Sequence, residues 1–151
     1  MKLKTIKILT ITLSLIIFII SLTQNAIIID YIEIKPVSSL TYFLIGSTAF
    51  IGGALLEQII WLANPLSLLS IVLLLNNKPI AIKFSLIALA LSISFSTWSE
   101  ILGDESGSMA KIISLELGYY LWVLSITILS IGTFTYFKMK KKLFEKENTN
   151  A

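Results

Sequence analysis

Polar residues inside the apolar stretches of this sequence are the ones that could do chemistry. Glu57 and Asn64 lie two helical turns apart, on a face that they share with Trp61, so a carboxylate and a carboxamide could meet one ligand or ion. Pro65 follows directly and predicts a kink, because a proline inside a helix removes a backbone donor and frees a carbonyl. The alternative, which we prefer, places Glu57 among the outer headgroups and lets Asn64 satisfy the freed carbonyl.

Glu116 is a further candidate, since it stands at the start of the last apolar run. An acidic residue in the first turn complements the helix dipole, and Glu116 can reach Tyr119 and Tyr120 one turn later. We therefore interpret it as a helix cap beside a belt of interfacial aromatic residues, formed by Trp98, Tyr119, Tyr120 and Trp122. The alternative is a cation held between Glu57 and Glu116.

The residue types that carry most enzyme chemistry are absent. The chain contains no Cys and no His, which excludes a thiolate nucleophile and the commonest general base and metal ligand. Any metal would have to be held by carboxylates alone. We therefore expect no enzyme activity, no metal, no cofactor and no nucleic-acid partner.

The elements that must position these residues are membrane helices. Of 151 residues, 56% are hydrophobic and 14% are charged, whereas soluble domains are about 25% charged. We predict an all-α membrane protein with one helical domain, residues 1–137, and a cytoplasmic polar tail, residues 138–151. The first of the predicted spans is interpreted as an uncleaved anchor. The four spans cover about residues 8–23, 59–75, 80–98 and 117–137.

The segments between the spans are predicted to lie outside the bilayer or at its surface. Residues 26–36 alternate apolar and charged side chains and are interpreted as an extended interfacial loop. Residues 101–111 are rich in Gly, Ser and acidic side chains, which predicts another loop. Residues 40–56 are apolar but broken by glycines, so we expect a re-entrant or interfacial segment in the outer leaflet.

The lysines decide between four spans and five. With four, both termini lie in the cytoplasm with ten of the twelve lysines, as the positive-inside rule requires. A fifth span would carry the lysine-rich tail across the bilayer. We therefore predict a multi-pass protein of the inner (cytoplasmic) membrane of a bacterium, with both termini inside. The ten inner lysines are Lys2, Lys4, Lys7, Lys78, Lys83, Lys138, Lys140, Lys141, Lys142 and Lys146.

Small side chains mark the faces on which the last two spans should pack. Because apolar burial does not drive helices together in lipid, small residues at a fixed spacing favour close backbone approach. The seven-residue repeat on the last span is typical of a left-handed helix pair, so we expect these two spans to pack together. The face of the third span carries Ala81, Ser85, Ala88, Ser92, Ser96 and Ser99, and that of the fourth carries Gly118, Ser125 and Gly132.

Two short motifs, Trp61-Leu62-Ala63-Asn64-Pro65 and Gly118-Tyr119-Tyr120-Leu121-Trp122, resemble a group of small four-helix bacterial membrane proteins with no assigned activity. The resemblance covers about residues 8–137 and implies the four-span topology but no catalytic residues. We expect a non-enzymatic protein that works in the lipid bilayer by helix packing, as an accessory subunit or an immunity-type partner of a membrane-inserting toxin. A membrane protein or a second copy of this chain would be the partner. The alternative is a small transporter that depends on a carboxylate.

Overall fold

The computed structural model describes residues 3–104 and 107–149, most of which are helical. Within these ranges α3 and α4 form one rod, interrupted at Leu62. Short 3-10 helices, Gly46–Gly52 and Phe95–Thr97, continue α2 and α5. The α-helices are α1 (Leu3–Leu22), α2 (Ser39–Ile45), α3 (Leu55–Trp61), α4 (Ala63–Leu75), α5 (Ala81–Ser94) and α6 (Leu117–Thr149).

Three helices of the described chain are long and apolar enough to cross a membrane. They are Leu3–Leu22, Leu55–Leu75 and Leu117–Lys146. The apolar helix Ala81–Thr97, which contains α5, is shorter. Its 17 residues would rise about 25 Å at the helical repeat, close to the hydrocarbon thickness of a bilayer.

A small antiparallel sheet corrects the expectation of an all-α protein. Its strands are β1 (Asn25–Asp30), β2 (Ile34–Ser38), β3 (Glu100–Leu102) and β4 (Met109–Leu115), in the order β2-β1-β4-β3. The two segments predicted to be loops therefore pair as hairpins, and β1 joins β4 across the sequence. The sheet buries one face, because Ile27, Ile29, Ile101 and Ala110 form a core cluster beneath it.

The helical rods have two chemically different ends. At the sheet end, α1 finishes and α6 begins beside β1, and the Ser39 N–H donates to the carbonyl of Gln24 at 2.9 Å. At the lysine end, the turn after α4 meets α1 and α6. There Asn77 Oδ1 accepts from Lys7 Nζ at 2.7 Å and from the Tyr136 hydroxyl at 2.5 Å.

Residues 39–54 start and finish at the sheet end. Ser39 is held by Gln24, and α3 follows with Glu57 bound to the backbone of β3. Between these points, the Phe43 ring contacts Phe18 of α1, and the segment turns back through the 3-10 helix. The return needs a left-handed residue, which Gly53 supplies at φ 86°. This segment is therefore a helical hairpin that does not run to the lysine end.

Contrary to the expectation, the seven-residue repeat on α6 does not lie against α5, because Ser125 and Gly132 face α1, and Gly118 meets Asn25 and Ser39 at the sheet end. The Ser14 hydroxyl of α1 donates to the Ser125 carbonyl at 2.9 Å. A Cβ added at Gly132 would lie 2.1 Å from Thr10 Oγ1, so the two helices touch closely there. α1 carries small or polar residues, Thr10, Ser14 and Ser21, on the buried face that receives this repeat.

The small-residue face of α5 is buried as far as α5 remains helical. Ala81, Ser85, Ala88 and Ser92 are fully buried, whereas Ser96 and Ser99 lie past the end of α5 and are exposed. α5 does pack against α6, but through other residues of α6. The Ser130 hydroxyl donates to the Ser85 carbonyl at 3.0 Å, and the Tyr119 hydroxyl donates to the Ser92 carbonyl at 2.9 Å.

Candidate binding cavity

A cavity of about 120 Å³ lies between the helices, directly beneath the sheet. Its walls come from α1, α2, α3, the first turn of α4, the 3-10 turn after α5, and α6, and the sheet closes it with Ile27 and Ile101. We call it the sheet-end cavity. Seven of the side chains that line it are aromatic, and they are Phe18, Tyr42, Phe43, Trp61, Phe95, Tyr119 and Trp122.

Glu57 places a carboxylate on this aromatic wall. The residue is half-buried in the first turn of α3, and one oxygen, Oε1, accepts the backbone N–H of Leu102 in β3 at 2.9 Å. No lysine lines the cavity with it among the described residues. The single hydrogen bond fixes the carboxylate at the junction of α3 and the sheet and leaves it able to accept further donors.

Two hydroxyls lie on the same wall. Ser39 is 9% exposed, and its Oγ has no hydrogen-bond partner in the described part of the chain. A buried hydroxyl without a partner is unfavourable by about 1–3 kcal/mol, so a bound group that pairs with it would recover that energy. Burial first, and the charge of Glu57 second, raise the pKa of Tyr42 above its ordinary value. Tyr42 therefore remains a protonated donor.

Trp122 and Tyr119 face inward, which corrects their assignment to an interfacial belt. The Trp122 indole N–H donates to Asn64 Oδ1 at 2.9 Å. Tyr119 is 5% exposed and bonds to α5, whereas the neighbouring Tyr120 is 57% exposed. Asn64 thus presents its oxygen to α6 across the cavity and holds one of the aromatic walls in place.

The rod of α3 and α4 bends beside the cavity. The helix is interrupted at Leu62, three residues before Pro65, which lies in the first turn of α4. The Trp61 indole N–H donates to the carbonyl of Phe43 at 2.9 Å and so ties the helical hairpin to this bend. Gly46 lets the two approach, because a Cβ there would lie 2.2 Å from the Trp61 ring.

Glu116 lies outside the sheet-end cavity. Its carboxylate accepts the Ser114 hydroxyl at 2.6 Å, and its backbone carbonyl accepts the N–H of Tyr119 at the start of α6. It is not among the residues that line the sheet-end cavity. Across the described residues, no cluster of three or more acidic side chains could hold a metal ion. The structure thus unites Glu57 and Asn64 at one cavity and leaves Glu116 outside it.

Sequence reasoning missed Ser39, Tyr42 and Tyr119 as cavity residues. Tyr119 and Trp122 are three residues apart on α6, so the sequence predicts that they lie on the same helical face. Ser39 and Tyr42 approach Glu57 only because the hairpin folds back on α3, and no local pattern records that contact. A scan of protein families, of curated proteins and of solved structures finds no match to this chain.

Proposed function

We propose that this protein is a four-span membrane protein, with both termini in the cytoplasm, that binds a small apolar organic cation in the sheet-end cavity. One observation carries the proposal: a single carboxylate, Glu57, lies on the wall of a largely apolar cavity that is lined by seven aromatic side chains. Among the described residues, no second acidic side chain and no lysine lines the cavity with it. The activity we propose is therefore binding and not chemical conversion.

Aromatic faces and a carboxylate together favour a cation over a neutral or anionic ligand. A ring face attracts a positive charge within about 6 Å of its centre, and the attraction grows when water is excluded. Glu57 supplies the opposite charge, and Tyr42 and Ser39 supply hydroxyls for an ammonium N–H or a neighbouring polar atom. A cation without an apolar body would leave most of the wall without a partner, so we infer an apolar amine.

The size of the cavity limits the ligand. A dry protein cavity of about 150 Å³ accommodates benzene, and the sheet-end cavity measures about 120 Å³. The cavity is smaller than that, so it encloses a short branched chain with an amine, and a ring with an amine enters fully only if the hairpin of residues 39–54 shifts outward. The helical hairpin of residues 39–54 covers the cavity and would have to shift for a ligand to pass.

The charge distribution supports the proposed orientation in the membrane. The lysine end carries Lys7, Lys78, Lys83 and the basic part of α6, while most acidic residues belong to the sheet end. Lysines near span ends remain in the cytoplasm. The sheet-end cavity would then lie in the outer half of the bilayer, and the sheet would face the outside.

Titration of tryptophan fluorescence tests the ligand class, because Trp61 and Trp122 line the cavity. The purified full chain in mild detergent is titrated with benzylamine, which is protonated at neutral pH, and with benzyl alcohol and phenylacetate. A hydrogen bond to a charged group contributes about 1.5–3 kcal/mol, so we expect benzylamine to bind about 10- to 100-fold tighter than benzyl alcohol. Phenylacetate should bind weakest.

Glu57→Gln should abolish this preference and leave weak binding of all three ring compounds. Glutamine keeps an oxygen that can accept from the Leu102 N–H, so the junction with the sheet should survive. Glu116→Gln is the matched control, since it removes an acidic residue at the same end but outside the cavity. Equal affinities for the three compounds in the unmodified protein, or equal losses in both variants, would overturn the proposal.

A carboxylate-dependent transporter is the second candidate, because Glu57 faces a cavity and could exchange a proton for the cation. Proteoliposomes loaded at one pH and diluted into another would show benzylamine-dependent proton flux that disappears in Glu57→Gln. Benzylamine binding without proton flux would exclude transport and support a binding function alone. The role as an accessory subunit or immunity-type partner stays a prediction, and a stoichiometric membrane protein recovered in mild detergent would support it.

A further inference from the structure

A second concave surface lies at the lysine end, on the side where α6 passes the turn between α4 and α5. This groove has a volume of about 610 Å³. Its apolar residues are Pro79 and Ile82 beside the turn and Phe134 and Phe137 on α6. Lys138, Lys140 and Lys141 stand on its rim. We call it the lysine-end groove.

α6 continues well past the body of the protein here. Tyr136 marks the level of the turn, because its hydroxyl donates to Asn77. The helix runs on to Thr149, which adds about 20 Å at 1.5 Å per residue. This extension is basic, and Phe144 on it is 64% exposed at the outer edge of the groove. Most of this aromatic side chain is therefore not covered by any other residue of the described chain.

The groove combines an apolar floor with a cationic rim over a short distance. Lys138 Nζ lies 5.9 Å from the centre of the Phe134 ring, so the charge is held directly above the apolar floor. Lys141 forms a loose, exposed ion pair with Glu145 at 3.7 Å, and such pairs are weak enough to yield to another anion. A ligand with an anionic head and an apolar body matches both parts.

We infer that the lysine-end groove binds an anionic phospholipid, with its phosphate at Lys138 and Lys141 and its acyl chains against Phe134, Phe137 and Ile82. The inference rests on the proposed membrane orientation, in which this end meets the cytoplasmic leaflet. That leaflet carries a negative surface potential, and each lysine near it is drawn to anionic headgroups. The phospholipid would hold the basic extension of α6 against the membrane surface.

Native mass spectrometry of the full chain in mild detergent tests this site. Phosphatidylglycerol and phosphatidylcholine with identical acyl chains are titrated separately, and glycerol 3-phosphate serves as a free headgroup without chains. We expect phosphatidylglycerol to bind at least tenfold tighter than phosphatidylcholine, and glycerol 3-phosphate to give no adduct. Equal adducts with glycerol 3-phosphate would show a plain anion site and overturn the lipid assignment.

Two double variants separate a built groove from general attraction to positive charge. Lys138→Gln with Lys141→Gln removes two rim charges, and Lys142→Gln with Lys146→Gln removes two charges of the same helix that do not line the groove. Loss of a charge-assisted hydrogen bond to the phosphate lowers the affinity about tenfold for each lysine. The first pair should therefore weaken phosphatidylglycerol binding about 100-fold, and the second, which acts on the phosphate only through screened charge, less than threefold.

Equal losses in the two double variants would show that the helix attracts anions without a site, and would overturn the inference. Glu57→Gln provides the link to the proposed function, because it alters the sheet-end cavity at the opposite end. It should leave phosphatidylglycerol binding unchanged. Failure of the lipid titration with intact benzylamine binding would overturn the groove alone, and the converse result would overturn the cavity alone.

Discussion

Hydroxyl side chains join the helices at the points where two backbones come close. Ser14, Ser70 and Ser130 each donate to a carbonyl of a neighbouring helix at 2.9–3.0 Å. Other serines, such as Ser92, bond within their own helix, as hydroxyls in membrane helices commonly do. Interhelical bonds of this kind contribute about 0.6 kcal/mol each in membranes. Their value here lies in bringing backbones together without an unpaired buried hydroxyl.

Two glycines of α6 allow neighbouring segments to approach closely, and a methyl group added at each would meet a different obstacle. A Cβ at Gly118 would lie 2.6 Å from the backbone oxygen of Asn25. At Gly132 the obstacle is the side chain of Thr10, whose Oγ1 would lie 2.1 Å away. We expect Gly118→Ala and Gly132→Ala each to destabilise the protein by about 1–3 kcal/mol, the range for overpacking, as a lower midpoint of thermal unfolding in detergent.

Adding a second substitution distinguishes these two glycines. Thr10→Ala removes Oγ1 and Cγ2, the two nearest atoms, and should restore part of the unfolding midpoint lost in Gly132→Ala. Ser39→Ala should not rescue Gly118→Ala, because the Asn25 backbone remains in the way. Recovery at both positions, or at neither, would contradict the described contacts.

The sequence could locate several site residues but not their neighbours. Glu57, Trp61 and Asn64 share a helical face, and the structure brings all three to the sheet-end cavity. Trp122 was misassigned because an aromatic residue near a helix end is as common at a membrane interface as inside a bundle. Its inward direction depends on Asn64 of another helix. Such a contact is set by tertiary packing, which local pattern does not encode.

At the scale of elements, the sequence predicted the apolar helices but not the sheet. Continuous apolar runs predicted the helical segments within about five residues, with two exceptions. α5 itself ends at Ser94, and α6 continues to Thr149, so most of the predicted polar tail is helical. The alternation in residues 26–36 is the period of a strand, yet β1 gains its second partner from β4, about 80 residues later in the sequence. The short strand β3 and a turn rich in Gly and Ser concealed the other hairpin.

The packing of α6 against α5 and α1 predicts how bulkier side chains on its contact faces would change the stability of the bundle. Ser92→Leu should push α5 from α6, and Ser125→Leu should push α6 from α1, because both positions are 2% exposed or less. Overpacking predicts losses of roughly 1–3 kcal/mol for each, seen as a lower unfolding midpoint in detergent. Ile93→Leu, at a position that is 49% exposed, is the control and should be nearly silent. Equal tolerance at all three positions would show that these faces have no packed partner.

The charged residues of the whole molecule are separated along its long axis. Basic residues lie at one end, and the sheet with most of the acidic residues lies at the other. Two interactions fix these ends relative to the helices. Lys7 binds the turn at Asn77, so the start of α1 is held beside the end of α4. Glu57 binds the backbone of β3, so the start of α3 is held beside the sheet. Moving one lysine to the centre of a bilayer costs about 2.5–3.5 kcal/mol, which favours one orientation of the entire bundle.

Single cysteines give a direct test of that orientation, since the chain contains none of its own. Ser108→Cys reports on the sheet end, and Asn76→Cys and Thr149→Cys report on the lysine end. Asn76 is preferred to Asn77, whose side chain joins Lys7 to Tyr136 and whose φ of 56° is unusual for a non-glycine residue. Asn76 is exposed and bonds only to its own helix.

A membrane-impermeant thiol reagent added to intact cells should label Ser108→Cys and leave the other two unlabelled until the cells are opened. Both lysine-end positions must behave alike if α5 and α6 both cross, because these two helices separate Asn76 from Thr149 in the sequence. Labelling of Thr149→Cys from outside, with Asn76→Cys protected, would show that α5 or α6 does not cross the membrane, and would contradict the four-span topology. Labelling of both lysine-end cysteines, with Ser108→Cys protected, would instead reverse the orientation of α3 to α6, either by inversion of the bundle or because residues 39–54 form a fifth span, and would place the sheet-end cavity in the cytoplasmic half of the membrane.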